Sequence, residues 1–152
     1  MKVLVTGGRE YDDWKTVSSV LSDLHKEFGI SVIIHGAATG ADTLADDWAR
    51  SKNIPVRKFK AAWKNITVKG AVVKTNKYGK YNSRAGIFRN IEMFKSTSPN
   101  IVVAFPGANG TTHMREYAKK QKTWTYNVSD EEFHPITVFN SENAVIGGYF
   151  DN

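Results

Sequence analysis

The stretch Ala104-Phe105-Pro106-Gly107-Ala108-Asn109-Gly110-Thr111-Thr112-His113-Met114 joins the apolar run Ile101–Phe105 to a segment with helical patterning. A strand, a glycine turn and a helix start in that order make an anion site. The first N–H groups of a helix have no internal partner, and the helix dipole places partial positive charge there. Glycine lets the backbone approach a phosphate closely. Pro106, Gly107, Gly110 and Thr111 are therefore expected to hold a phosphorylated small molecule. Thr111 either donates its hydroxyl near the phosphate or caps the helix.

Two more glycine loops follow apolar runs: Thr6-Gly7-Gly8-Arg9, and His35-Gly36-Ala37-Ala38-Thr39-Gly40-Ala41-Asp42. One such loop is weak evidence, because glycine after a strand is a common turn residue. Three on one rim of a sheet are stronger. Neither named phosphate fingerprint fits. Gly36–Gly40 lacks the Gly-Lys-Ser/Thr ending of a P-loop, and no G-x-G-x-x-G follows the first strand, so ordinary ATP or NAD binding is a poor match.

The elements that position these loops alternate. Strands are expected at Lys2–Thr6, Val32–His35, Pro55–Phe59, Ile101–Phe105 and Trp124–Val128. Helices are expected at Trp14–Phe28, Ala41–Lys52, Arg84–Lys95 and Gly110–Gln121. Short apolar strands alternating with helices imply an α/β fold, Rossmann-like, with three layers and a mainly parallel sheet between helices. In such a sheet ligands lie beyond the carboxyl ends of the strands. The expected organisation is one domain over 1–128, with an inserted basic loop or hairpin over 65–83, and a C-terminal extension over 129–152. Thr67–Thr75 has some strand character, and Ile136–Phe139 with Ala144–Ile146 is a candidate edge hairpin.

At 152 residues one domain is the default, and the chain has no cysteine. Disulfides and thiolate-bound metals are thereby excluded, and four scattered histidines without ligand spacing give no reason to expect a metal site. No cofactor is expected. The N-terminal apolar run is too short for a signal peptide, and no run approaches a membrane span. The expectation is a soluble, cytoplasmic protein with no membrane partner. The net charge of +6 includes lysines at 58, 60, 64, 69, 74, 77 and 80. Such a surface is either a solvated face or a site for phosphates, nucleic acid included.

Four motifs stand in one order: Val5-Thr6-Gly7-Gly8-Arg9; His35–Asp42; Arg89-Asn90-Ile91-Glu92-Met93; and Ala104–Thr111. Over roughly Met1 to Val128 the chain resembles the YspA-like, YpsA-related branch of the SLOG superfamily, which is named for the DprA (Smf) and LOG proteins. The resemblance implies a Rossmann-like domain that binds nucleotides or nucleotide-derived molecules such as ADP-ribose derivatives, and a homo-oligomer. LOG members cut the N-glycosidic bond of nucleoside monophosphates. Their site resembles P-G-G-x-G-T-x-x-E with an arginine from an R-x-x-x-M helix. Here Arg89 matches the arginine, but Met114 stands at the glutamate position. A thioether cannot move a proton or stabilise an oxocarbenium-like sugar as a carboxylate does. Glu116, two residues on, is rotated about 200° around a helix and is a poor substitute.

The expected ligand-binding residues are Gly7, Gly8, Arg9, Gly36, Ala37, Thr39, Gly40, Ala41, Asp42, Arg89, Asn90, Pro106, Gly107, Gly110 and Thr111. Arg9 and Arg89 suit a phosphate. Asp42 either holds a ribose hydroxyl or favours its helix's first turn. Asn90 either reads a base edge or satisfies buried backbone, and His35 is either a satisfied core residue or a general base. His113 is expected to be exposed. Trp14, Trp48 and Trp124 are expected in the core; Trp63, Tyr78 and Tyr81 could stack on a base. The catalytic set is open, with Arg89 and Glu116 as weak candidates. The leading reading is binding or sensing of a nucleotide-derived ligand. The alternatives are a nucleotide N-glycosidase with a non-standard catalytic group and DprA-like single-stranded nucleic-acid binding.

Overall fold

The computed structural model describes residues 1–128 and the two-residue strand at 149–150. Among the described residues eight strands and four helices run in the order β1 (Lys2–Thr6), α1 (Trp14–Phe28), β2 (Val32–His35), α2 (Ala41–Ser51), β3 (Val56–Lys58), β4 (Val73–Asn76), β5 (Gly79–Asn82), α3 (Ala85–Thr97), β6 (Ile101–Ala104), α4 (Asn109–Lys120), β7 (Trp124–Asn127) and β8 (Tyr149–Phe150). The main sheet has the order β3-β2-β1-β6-β7-β8. Its first five strands are parallel, and β8 is antiparallel to β7. The fold is Rossmann-like α/β, as the alternation of elements implied.

The sheet is buried on both faces because its strands have apolar residues at successive positions. Their side chains alternate between the faces. Val3, Val5, Ile33, Ile101 and Val103 pack with Val17, Val20, Leu21, Leu24 and Trp48 of α1 and α2. Leu4, Ile34 and Val102 pack on the other face with Met93, Phe94, Met114 and Ala118 of α3 and α4. Each fully buried aliphatic side chain stabilises by about 1.5–3 kcal/mol relative to exposure. Met114 is fully buried in this second cluster. A carboxylate there would lose its hydration without a partner.

Order reverses between β1 and β6: the chain leaves β1 toward β2 and β3, then returns to β6 and β7 on the other side. A crevice opens at the carboxyl ends of strands at such a reversal.

Several details differ from the sequence-based expectation. A hairpin, β4–β5, lies within the segment 65–83, but of Thr67–Thr75 only Val73–Thr75 is strand, because the tight turn forms at Lys77-Tyr78 before Gly79 at φ 107°. Helix α3 starts after Arg84 and continues to Thr97, while α4 starts at Asn109. Trp14 is 44% exposed rather than in the core, because it opens α1 on the outer side. Trp48 is buried, and Trp124 is partly buried against the first cluster. The candidate strands Ile136–Phe139 and Ala144–Ile146 lie outside the described residues. Among the described residues no helix is long and apolar enough to cross a membrane.

Helix α1 shows how local sequence sets its ends. The Asp13 carboxylate accepts from the Thr16 N–H (3.1 Å) and the Thr16 hydroxyl (2.7 Å). Gly29, at φ 68°, closes the other end by donating to the His25 carbonyl at 2.8 Å. The Thr16 hydroxyl and N–H hold the Asp13 carboxyl below its ordinary value. A depressed carboxyl pKa stabilises the fold above the unfolded value, near 3.9, and that contribution is lost as pH falls through the folded value. Asp13→Ala should lower stability by about 1 kcal/mol in denaturant unfolding at neutral pH. It should also flatten the dependence of stability on pH below about 4.

Candidate functional site

The crevice is closed at its base by backbone contact between the loops that follow β1 and β6. The Gly8 N–H donates to the Pro106 carbonyl at 2.7 Å, and the Gly8 carbonyl accepts from the Ala41 N–H at 3.1 Å. A Cβ on Gly7 would lie 2.5 Å from that of Ala41 and 3.0 Å from that of Phe105. One on Gly8 would lie 2.8 Å from the Pro106 carbonyl oxygen, and one on Gly107 would lie 2.7 Å from the Gly8 nitrogen. Only glycine permits this approach.

The loop after β2 braces the site from behind. The Asp42 carboxylate accepts from the N–H groups of Gly36 (3.1 Å) and Ala38 (3.2 Å). Burial pushes the Asp42 carboxyl up; His35, the Ala38 N–H and Arg89 act against that shift. The Thr39 hydroxyl donates to the Arg9 carbonyl at 2.9 Å. His35 is buried and satisfied. Its Nδ1 accepts the Ala37 N–H at 2.9 Å, so the proton resides on Nε2, facing Asp46 at 2.6 Å. Burial raises the Asp46 carboxyl, but hydrogen bonds from His35 and Arg50 outweigh it and hold it below the usual range.

Helix α3 supplies the third wall. Arg89 Nη1 donates to the Gly36 carbonyl at 2.5 Å, and its Nε donates to Asn90 Oδ1 at 3.0 Å. Burial pushes the Arg89 guanidinium down from its ordinary value, Asp42 opposes that shift, and Arg9 adds to it. Asn90 is buried and also donates to the Gly110 carbonyl at 3.3 Å, tying α3 to the start of α4. His113 is partly buried beside Asn90 at 3.3 Å, contrary to the expected exposure, and burial lowers its pKa.

These walls enclose a cavity of about 770 Å3, within the range of small-molecule sites. Gly7, Gly8, Arg9, Asp42, Arg89, Asn90, Pro106, Gly107, Gly110 and Thr111 line it together. Gly36, Ala37, Thr39, Gly40 and Ala41 do not line it; of these, Gly36, Thr39 and Ala41 hold lining residues through the contacts above. Glu116 is exposed on α4, and neither it nor Met114 lines the cavity.

Sequence reasoning missed Tyr11, which packs against Phe105, and the start of α3 at Ser83, Gly86 and Ile87. Gly86 in a first helical turn was the available signal. Trp63 stands at the rim with the Arg9 guanidinium 5.4 Å from its ring centre.

Two helices begin at this cavity without a side-chain cap, α3 after Arg84 and α4 after Ala108. The Thr112 N–H bonds to the Ala108 carbonyl. The preceding N–H groups of Asn109, Gly110 and Thr111 belong to the unpaired first turn at the cavity wall. Arg9 and Arg89 add charge, so the arrangement suits an anion.

The model of the YspA, cpYpsA-related SLOG family matches residues 1–65. The Gene 61 protein of Mycobacterium phage D29 is 33% identical over 139 residues, covering 86% of this chain and 98% of that relative. Among solved structures, DNA processing protein A (DprA) from Streptococcus pneumoniae superposes with a TM-score of 0.61 at 19% identity, over 86% of this chain and 50% of that one. MurG from Acinetobacter baumannii gives 0.51 at 14% identity, over 83% and 34%. The chain thus spans half of DprA and a third of MurG, and at these identities the likeness is one of fold.

Two glycine substitutions should act with opposite sign. Gly8→Ala drives a methyl into the Pro106 carbonyl and should cost about 1–3 kcal/mol of stability. Gly110→Ala, where a Cβ meets nothing within 4 Å, should gain up to about 1 kcal/mol. Denaturant unfolding of the two variants checks both.

Proposed function

The chain belongs to the YspA, cpYpsA-related SLOG family, and on that premise we propose that it binds a nucleotide-derived small molecule in the crevice between β1 and β6. The observation that carries this reading is the uncapped start of α4, with Asn109, Gly110 and Thr111 at the wall of a cavity that Arg9 and Arg89 also line. A phosphate placed there accepts backbone N–H bonds and meets two guanidinium groups. The remaining volume admits a sugar and a base, and Trp63 offers a ring face at the rim.

Binding without cleavage is the better reading. The position that would hold a LOG-type glutamate is the core residue Met114. Of the two acids that line the cavity, Glu10 is exposed and Asp42 already accepts two backbone N–H groups. Sensing or sequestration of a nucleotide signal follows from tight binding without turnover.

Thermal unfolding with ribose 5-phosphate, nucleoside monophosphates and ADP-ribose tests the reading. A ligand at a hundred times its Kd should stabilise by about 2.7 kcal/mol. Gly110→Asp separates ligand from scaffold. Its carboxylate sits in the first turn of α4, where it should raise the stability of the ligand-free protein by about 0.3–1 kcal/mol. It should also abolish the ligand-induced rise. Chromatography after incubation should recover each nucleotide intact, with no free base. No stabilisation by any phosphorylated ligand, or a full ligand response in Gly110→Asp, would overturn the proposal.

A further inference from the structure

Between Asp47 and Glu92 the chain has twelve lysines and arginines and no aspartate or glutamate. The rest of the chain has the other nine basic residues and all fifteen acids. The whole-chain charge of +6 therefore conceals a strongly cationic segment inside an otherwise acidic protein. Two of the twelve, Arg50 and Lys58, face Asp46. Among the described residues Lys74, Lys77 and Lys80 have no ion-pair partner.

These three lysines stand on the β4–β5 hairpin. Its strands pair with each other and with no strand of the main sheet. All of β4 is exposed, and Tyr78 at the tip is 73% exposed with Lys77 Nζ 5.0 Å from its ring centre. Lys74 stands opposite Tyr81, and Lys80 opposite Thr75, so positive charge emerges on both faces of the ribbon. A hairpin that buries little and repels itself does not serve the core. Like charges placed together at a stability cost point to a polyanion that neutralises them.

The base of the hairpin is fixed to the cavity rim. Asn82 is buried; its side-chain oxygen accepts from the N–H groups of Val72 (3.2 Å) and Arg84 (3.0 Å), and its own N–H donates to the Trp63 carbonyl at 2.7 Å. One residue thus joins the hairpin, the start of α3 and the rim tryptophan.

We propose that the β4–β5 hairpin is a docking arm for single-stranded nucleic acid, with its lysines on the phosphates and Tyr78 against a base. Separated phosphates match separated lysines, and an exposed aromatic beside them suits an unpaired base rather than a duplex, whose bases are already stacked. A lipid surface is a poorer match, because the arm lacks a continuous apolar face to insert. This proposal does not depend on the crevice ligand.

Fluorescence anisotropy with a labelled 20-nucleotide oligothymidylate, the matching duplex, and titration of anionic phosphatidylserine vesicles tests it on the full chain. The single strand should bind at 50 mM salt and weaken steeply by 200 mM. Replacing Lys74, Lys77 and Lys80 by Gln should lower the slope of log affinity against log salt by about 2, at roughly 0.7 per phosphate contact. The same three positions changed to Arg should retain binding, and the Gln variant should have a thermal midpoint no lower than the wild type, because charge repulsion is relieved, and should keep any nucleotide-induced rise in it. No binding of the single strand at 50 mM salt, an unchanged slope in the Gln variant, tighter binding of the duplex, or binding of vesicles alone would overturn the proposal.

Discussion

The structure depends on how closely two backbones approach at the point where strand order reverses. The Gly8 N–H reaches the Pro106 carbonyl at 2.7 Å, and Gly7 abuts both Phe105 and Ala41. With Cβ atoms at these positions the loops after β1 and β6 would be pushed apart, and the start of α4 would move away from Arg9. The hydrogen bond alone is worth only about 0.5–1.5 kcal/mol net. Its larger effect is geometric: it sets where the unpaired N–H groups of α4 lie. Preorganised donors of this kind favour an anion without the cost of ordering them on binding.

Around that contact the other elements act as braces. Arg89 spans from α3 to the Gly36 carbonyl, and Asn90 spans from α3 to Gly110. Asp42 and His35 hold the loop after β2 by accepting the N–H groups of Gly36, Ala38 and Ala37. Ala37 keeps a positive φ of 56°, a conformation uncommon for a residue with a side chain and held here by these bonds. The polar residues of the second loop thus act mainly on backbone, and most of the cavity lining comes from the first and third loops with α3, with Ala38 and Asp42 added from the second.

The fold was legible because its signals are periodic. The alternation of apolar strands and helices gave the layers, and the glycine loops marked the carboxyl edge. What each loop faces was less legible. Gly36, Gly40 and Ala41 look in sequence like any phosphate loop, yet Gly36 is bonded to the side chains of Asp42 and Arg89, and Gly40 and Ala41 are set against the backbone of Gly8. Only the three-dimensional packing distinguishes a loop that lines a cavity from one that props it. Trp14 misled because apolar character at helical spacing does not say on which side of the first turn a residue emerges. Within 65–83 the strand begins at Val73 rather than Thr67, because the turn before Gly79 sets where the two strands pair. Met114 was legible as a chemical departure, and its burial among Leu4, Ile34 and Val102 supplies the physical reason: the helix presents that position to the core.

The central claim concerns a few backbone N–H groups, so the most direct measurement observes them. Proton–nitrogen correlation spectra of the labelled protein, titrated with a nucleoside monophosphate, report each amide separately. The account predicts the largest saturable shifts at Asn109, Gly110 and Thr111, with smaller ones at Gly7 and Arg9 and at the Arg89 side chain. Shifts confined to residues far from the β1–β6 crevice, or none at millimolar ligand, would contradict it.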